Sequence, residues 1–267
     1  MNFMTKSVYG LIGYPLSHSF SAQFFSEKFA REGIADASYE LLPLPDPLAL
    51  PALLRSRPEI RGLNVTIPHK QAVISLLDAL DPAAQSVGAV NCIRIGASGQ
   101  TTGFNTDIFG FERSPPRAPA DTRPYDVVWR EWAQREGMRA WVMGTGGAAR
   151  AVVWVLEKYG ISHTLISRTP GPGRVAYADL NALFDPTRPA LLVNTTPAGM
   201  YPHTDGCPFF PYDLLRPHHA AYDLIYNPAE TLFLKKCREA GCLVKNGLDM
   251  LVGQAEASWE IWRLDDA

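Results

Sequence analysis

Cysteine is scarce in this chain. Its four cysteines, Cys92, Cys207, Cys237 and Cys242, include no C-x-x-C pair and are too irregularly spaced for a disulfide scaffold, so they read as reduced, structural thiols. An excess of one charge is also missing: 25 basic against 27 acidic residues leave a formal charge of -2, with no basic face for nucleic acid. No apolar run approaches the ~18 residues of a membrane span. Met1 to Lys6 lead straight into a strand-like run without the charged and apolar regions of a signal peptide, so a cytoplasmic protein is expected. The one adjacent histidine pair, His218-His219, points its rings different ways and has no carboxylate or thiol at ligand spacing, so no metal site is expected. Repeats and low-complexity tracts are absent too. What remains is an ordinary globular balance, 46% hydrophobic and 19% charged, over a length that suits one large domain or two modest ones.

Strand-like and helix-like segments alternate along the chain. Val8–Gly13, Ser38–Leu42 and Ile60–Thr66 read as strands, with helical patterns at about 20–32, 46–57 and 70–80. Ala89–Ile95 and Thr101–Asn105 read as two short strands around a Gly-Ala-Ser-Gly turn. Residues 112–124 hold four prolines and three arginines without periodicity, a loop or linker, before a helical pattern at 126–136. From Arg139 the rhythm is cleaner. Strands at 140–143, 164–167, 190–194 and 221–225, with helices at 148–159 and near 177–184, form a βαβ unit with extensions. Gly247–Arg263 is an amphipathic final helix.

Asn64-Val65-Thr66-Ile67-Pro68-His69-Lys70 stands at the exit of the third strand. Pro68 has no N–H for a ladder, so the strand stops and a turn lifts Lys70 out of the core. A lysine at the carboxyl end of a strand in an open α/β sheet faces the crevice where such folds bind ligands. Gly144-Thr145-Gly146-Gly147-Ala148-Ala149 lies between a strand and a helix, the context in which G-x-G-x-x-A binds a dinucleotide. Gly144 permits the turn, Gly146 lets backbone N–H groups approach a pyrophosphate, and Ala149 allows close helix packing. The next strand ends at Ser167-Arg168-Thr169, where an NAD site would carry an acidic residue. Arg168 instead suits a 2′-phosphate, and no carboxylate lies between Ser167 and Tyr177, so NADP is the expected cofactor. Arg174 is a second basic residue near that end.

These strings resemble the shikimate dehydrogenase family, in the family's order and over nearly the whole chain. They comprise Gly13–Ser21, Asn64–Lys70, Gly88–Asn91, Gly103–Asp107, Gly144–Ala149, Asn194–Met200, Asp223–Pro228 and Gly247–Ala255. The resemblance implies a two-domain α/β protein: an N-terminal α/β substrate domain over 1–106, a Rossmann-like NADP-binding domain over 107–238, and a C-terminal helical segment, 239–267, packing back on the substrate domain. It implies a cleft between the domains, and a monomer or homodimer with a small-molecule substrate, shikimate or 3-dehydroshikimate, and neither nucleic acid nor membrane as partner. By the same resemblance Ser19 and Ser21 would hold the substrate carboxylate. Asn64, Thr66, Asn91 and Gln254 would bond the ring hydroxyls, and Tyr226 would lie on the substrate side. Lys70 would move the proton, with Asp107 as its partner, orienting it and bonding a neighbouring hydroxyl. Gly144, Gly146, Gly147, Ala148, Ser167, Arg168, Thr169, Thr195, Met200 and Gly247 would serve the cofactor.

The chain departs from the family at Ala22, where proline is frequent, at Ile108, where glycine follows Asn-Thr-Asp, and in a longer, proline- and tryptophan-rich 112–138 connection. The implied activity is reversible NADPH-dependent reduction of 3-dehydroshikimate to shikimate in aromatic amino-acid (chorismate) biosynthesis. The alternatives are a quinate/shikimate dehydrogenase using NAD and a catalytically silent shikimate-binding regulatory homologue. Arg168 and the Ser19/Ser21 pair disfavour the first, and Lys70 with Asp107 disfavours the second.

Overall fold

Apolar β1 (Ser7–Gly13), buried from Val8 onward, is an interior strand of the first sheet. The computed structural model describes residues 6–16 and 20–264. After α1 (Phe20–Glu32) come β2 (Ala37–Pro43), α2 (Leu50–Ser56), β3 (Ile60–Val65), β4 (Ala79–Leu80), α3 (Pro82–Val87), β5 (Cys92–Ile95) and β6 (Thr101–Phe104). The sheet order is β2-β1-β3-β5-β6-β4. β1 runs parallel to β2 and β3, whereas β5 is antiparallel to both β3 and β6. Leu63, Ile12, Ile93 and Val73 fill the core under one face. On the other face, Tyr9, Phe25 and Phe29 pack with Trp259 and Trp262 of the final helix, and Trp262 donates its indole N–H to Ile93 O at 3.1 Å.

The expected helix at 70–80 is not formed. A 3₁₀ turn covers Ala72–Leu76, and the chain then extends into β4. The reason lies in Asp78, whose carboxylate accepts both the Thr101 N–H and the Thr101 hydroxyl at 2.8 Å while its own N–H donates to Thr101 Oγ1 at 3.0 Å. Those bonds hold the segment beside β6 in place of an i→i−4 ladder. α3 is bounded as its sequence dictates: Asp81 accepts from Ala83 N and Ala84 N, Pro82 opens the first turn, and Gly88 closes the helix at φ 66°.

Then follow α4 (Thr106–Glu112), α5 (Tyr125–Gln134), β7 (Arg139–Met143), α6 (Gly147–Lys158), β8 (Ser162–Ser167), β9 (Arg174–Ala176), α7 (Leu180–Leu183), β10 (Ala190–Asn194), β11 (Ala220–Asp223), α8 (Leu232–Glu239), β12 (Leu243–Lys245) and α9 (Leu248–Trp262). The second sheet is parallel throughout, in the order β12-β11-β10-β7-β8-β9. With β7 as first strand this is the doubly wound 3-2-1-4-5-6 order of dinucleotide-binding folds. The backbone divides into two units, one of the described residues up to Thr106 with those from Ala255 onward, the other Asp107–Gln254.

The 112–138 connection folds onto the second unit. Trp129, fully buried, donates its indole N–H to Glu112 O at 2.8 Å, and Trp132 donates to Pro116 O at 3.1 Å. Glu112, buried at the end of α4, accepts from Lys158 and Tyr159 at the end of α6. His219 is also structural. Its Nδ1 accepts the Arg216 N–H at 3.1 Å, which leaves the proton on Nε2 to donate to Arg188 O at 3.1 Å. Among the described residues no helix is long and apolar enough to cross a membrane, and no group of three metal-ligating side chains occurs.

Candidate active site

In the first unit, the turn after β3 is held from three directions. Thr66 N–H donates to Ile12 O at 2.9 Å, the buried His69 ring Nε2 meets Leu44 O at 2.5 Å, and Val90 N–H donates to Lys70 O at 2.7 Å. Pro68 follows a cis peptide bond, and Ile67 stands exposed beside it. The Lys70 backbone is therefore fixed on both sides, and its half-buried side chain leaves a rigid platform.

A continuous run of polar side chains lies beside that turn. Ser21 in α1 is hydrogen-bonded to the Tyr39 hydroxyl, which donates to Asn64 Oδ1 at 2.9 Å. Asn64 Nδ2 donates to Ser258 Oγ at 2.8 Å and reaches Asn91 O at 3.4 Å. Ser258 meets Thr106 Oγ1 at 3.3 Å, and Asn91 Oδ1 accepts from Thr106 N–H at 2.6 Å and from its hydroxyl at 3.2 Å. Burial pushes the Tyr39 hydroxyl well above its usual range, so it remains a neutral donor. The same burial pushes the neighbouring Cys92 thiol up to about 12, which leaves it unreactive. Three expected residues, Ser21, Asn64 and Asn91, are thus brought into one network, with Thr66 and Lys70 on the adjoining turn. Ser19 lies outside the described residues.

In the second unit, Asp107 occupies the first turn of α4 and is buried. Gln254 is half-buried on α9, and the two helices meet closely: a Cβ on Gly110 would lie 2.3 Å from Met250 O and 3.2 Å from Gln254 N. Tyr226 follows β11 and is 38% exposed.

The turn after β7 fits a dinucleotide. Gly144 adopts φ 111°, which L side chains rarely take, and a Cβ there would meet Thr195 Oγ1 at 2.4 Å. Gly146, by contrast, faces open space, with nothing within 4 Å of a Cβ. It is the N-cap of α6 and supplies no side-chain cap, so the first-turn N–H groups of that helix, which carries Gly147 and Ala148, are available to phosphate. Thr195 N–H and hydroxyl both donate to Met143 O, at 3.0 and 2.7 Å, joining the ends of β10 and β7. Arg168 is exposed just past β8, close enough to Tyr177 to act on its hydroxyl electrostatically, and Ser167 Oγ accepts the Thr169 N–H at 3.3 Å. Arg174 leaves a tight turn closed by Gly171 and Arg174 backbone bonds. Met200 is exposed in the loop that follows β10, and Gly247 donates its N–H to Ile225 O at 3.0 Å.

Residues 11–93 match the family described as the shikimate dehydrogenase substrate binding domain. The shikimate dehydrogenase (NADP(+)) of Symbiobacterium thermophilum is 35% identical over 96% of this chain and 88% of that protein. This chain belongs to the shikimate dehydrogenase family. Among solved structures, the chorismate mutase/shikimate 5-dehydrogenase fusion protein from Clostridium acetobutylicum superposes with a TM-score of 0.81 at 33% identity, over 98% of this chain and 93% of that one. The shikimate 5-dehydrogenase of Thermus thermophilus, solved in complex with NADP(H) and shikimate, gives 0.77 at 30% identity over 97% and 95%. The polar network and the lysine turn also contain residues that the motifs do not announce: Tyr39, Thr106 and Ser258 in the network, and His69 under the turn. Of these only His69 and Thr106 sit inside a recognisable string.

Proposed function

We propose that this chain reversibly reduces 3-dehydroshikimate to shikimate with NADPH. The observation that carries this reading is the extended likeness to shikimate dehydrogenases, the Thermus thermophilus complex with NADP(H) and shikimate among them. It is supported residue by residue. A triol ring demands several converging donors and acceptors, and the Ser21-Tyr39-Asn64-Ser258-Thr106-Asn91 run supplies alternating ones.

NADPH, when bound, supplies the hydride. The Gly144–Ala148 turn and the first turn of α6 hold its pyrophosphate, and Arg168 receives the 2′-phosphate in place of the acidic residue an NAD site would use. Thr195, Met200 and Gly247 line the rest, with Ser167 and Thr169 shaping the loop that presents Arg168. Ser19 and Ser21 bind the substrate carboxylate. Asn64, Thr66, Asn91 and Gln254 take the ring hydroxyls, and Tyr226 adds a contact on the substrate side. Lys70 delivers the proton to the C3 oxygen in reduction and withdraws it in oxidation, and its ammonium stabilises the developing alkoxide. Asp107 accepts a hydrogen bond from a ring hydroxyl.

Steady-state assays with shikimate and quinate, each against NADP and NAD, test this. Turnover should be greatest with shikimate and NADP. Turnover confined to quinate and NAD, or tight shikimate binding with no turnover on any pair, would overturn the assignment.

A further inference from the structure

The carboxyl edge of the parallel sheet contains a buried cluster that the assignments above leave unused. Asp223, at the end of β11 and fully buried, receives three donors: Ile225 N–H and Asn194 Nδ2 on Oδ1, both at 3.0 Å, and the Thr231 hydroxyl on Oδ2 at 2.6 Å. Each donor is locked in its polarity. Asn194 Oδ1 already accepts the Thr196 N–H at 3.0 Å and its hydroxyl at 2.7 Å, so only its amide N–H can face Asp223. Thr231 Oγ1 accepts Leu234 N–H as the N-cap of α8, so its proton goes to the carboxylate. A group that only accepts is what such a convergence of donors requires.

The cluster acts on the two loops that leave β10 and β11. Asn194 fixes Thr196 next to Thr195, and Thr196 Oγ1 in turn accepts Ala198 N–H at 3.3 Å. Asp223 fixes Ile225 next to Tyr226, and Ile225 O receives Gly247 N–H. In a doubly wound sheet the dinucleotide lies across this edge. With Arg168 past β8 marking the adenosine end, the nicotinamide end of a bound dinucleotide would fall over β10 and β11.

We propose that Asp223, together with Asn194 and Thr231, is a positioning residue for hydride transfer, holding the Thr195–Met200 and Ile225–Tyr226 loops in the arrangement the nicotinamide end requires. The inference rests on the NADP-dependent reading given above. Burial pushes the Asp223 carboxyl up to about 6, so at neutral pH it is ionised and takes all three donors. Tyr212 and Cys237, the titratable groups whose charge it influences, are pushed well up by burial and stay neutral.

The test uses Asp223→Asn and Thr231→Val, with Thr231→Ser as the conservative rescue. Hydrogen exchange on the cofactor-free protein should show the Thr196 and Ile225 amides exchanging about tenfold faster or more in the first two variants, with β7 and β10 protection unchanged. Turnover should fall about ten- to a hundredfold, as sub-ångström misplacement of reactants predicts. NADP affinity, measured by calorimetry, should hold within about threefold, because the phosphate turn and Arg168 are untouched. The deuterium isotope effect from labelled NADPH should rise, and Thr231→Ser should restore all three readouts. Wild-type exchange at Thr196 and Ile225 in the folded variants, or a loss of affinity and turnover in equal proportion, would overturn the proposal. A wild-type protein inactive on shikimate with NADP would sink the activity assignment instead, and the exchange data would still decide whether the cluster holds the loops.

Discussion

Ser258 Oγ accepts the Asn64 side-chain amide at 2.8 Å across 194 positions of sequence. Asn64 projects from β3 and Ser258 from α9, so the final helix sets the orientation of an amide assigned to the substrate ring. Ser258→Ala leaves that amide without its shorter-range acceptor inside a buried network, a loss of about 1–3 kcal/mol in stability. The side chain would also be freer to rotate toward Asn91 O. Equilibrium denaturation should register the stability loss, and steady-state kinetics should show KM for shikimate rising more than kcat falls. An unchanged KM would mean that Asn64 keeps its orientation without Ser258.

Lys70 is expected to behave differently from its neighbours. Its backbone is anchored by Val90 N–H and by the buried His69 ring, so truncation of the side chain should leave the turn standing. Lys70→Ala should therefore lower kcat by about 10²–10⁴, the range for loss of a positioned proton donor, while shikimate affinity changes far less. A binding measurement alongside kcat decides it. Retained turnover with weakened affinity would assign the proton transfer elsewhere.

Most strands of both sheets were legible because β-branched and apolar runs separated by glycine and proline report them directly. The 70–80 segment carries a helical pattern yet does not form a helix, because its geometry is set by Asp78 bonding Thr101, a contact that no periodicity encodes. The site divides in the same way. Lys70, Asn64 and Gly144 stand in strings whose chemistry can be read locally. Tyr39 and Ser258 are an ordinary strand tyrosine and an ordinary helix serine until the fold places them on either side of Asn64. The 112–138 connection resisted reading for a related reason. Its function in the fold is to supply two indole N–H donors, from Trp129 and Trp132, to carbonyls 16 or 17 positions earlier.

Cofactor choice should reside in Arg168. It is exposed past β8 and makes the local charge positive where an NAD enzyme presents a carboxylate. Arg168→Ala removes charge-assisted bonds to the 2′-phosphate, each worth about 1.5–3 kcal/mol, so kcat/KM for NADP should drop roughly ten- to a hundredfold. The same constant for NAD, which has no 2′-phosphate, should hardly move. Equal losses with both cofactors would show that Arg168 supports the loop rather than reading the phosphate.

Gly144 and Gly146 should separate folding from binding. At Gly144 a methyl group meets both a φ of 111° and Thr195 Oγ1 at 2.4 Å, so Gly144→Ala should lower the melting temperature and abolish NADP binding together. At Gly146 the backbone has φ −77° and a methyl group meets no protein atom within 4 Å. Gly146→Ala should melt like the parent yet bind NADP at least about tenfold more weakly, because the added carbon takes space the pyrophosphate needs. Calorimetry and thermal melts on the two variants give the answer. Normal NADP affinity in Gly146→Ala would place the pyrophosphate away from this turn.

Two buried groups in the second unit should oppose one another as pH falls. His219 is neutral and hydrogen-bonded through both nitrogens, and burial lowers its pKa from 6.5 to about 4. Its contribution is present above about pH 6.5, where the unfolded chain is also neutral, and is lost as pH falls toward 4 and the unfolded state takes up the proton first. Asp223 has the opposite sign. Its pKa rises from 3.8 to about 6, so the folded state takes up the proton first and gains stability as pH falls through the same interval. Each amounts to about 3 kcal/mol at one unit of pKa per 1.36 kcal/mol, so the two nearly cancel. Asp223→Asn removes the compensating group and leaves His219 unopposed. Urea denaturation between pH 4.5 and 7 should therefore show a shallow pH dependence from this pair in the parent and a steeper acid loss in the variant, and parallel curves for the two proteins would rule the compensation out.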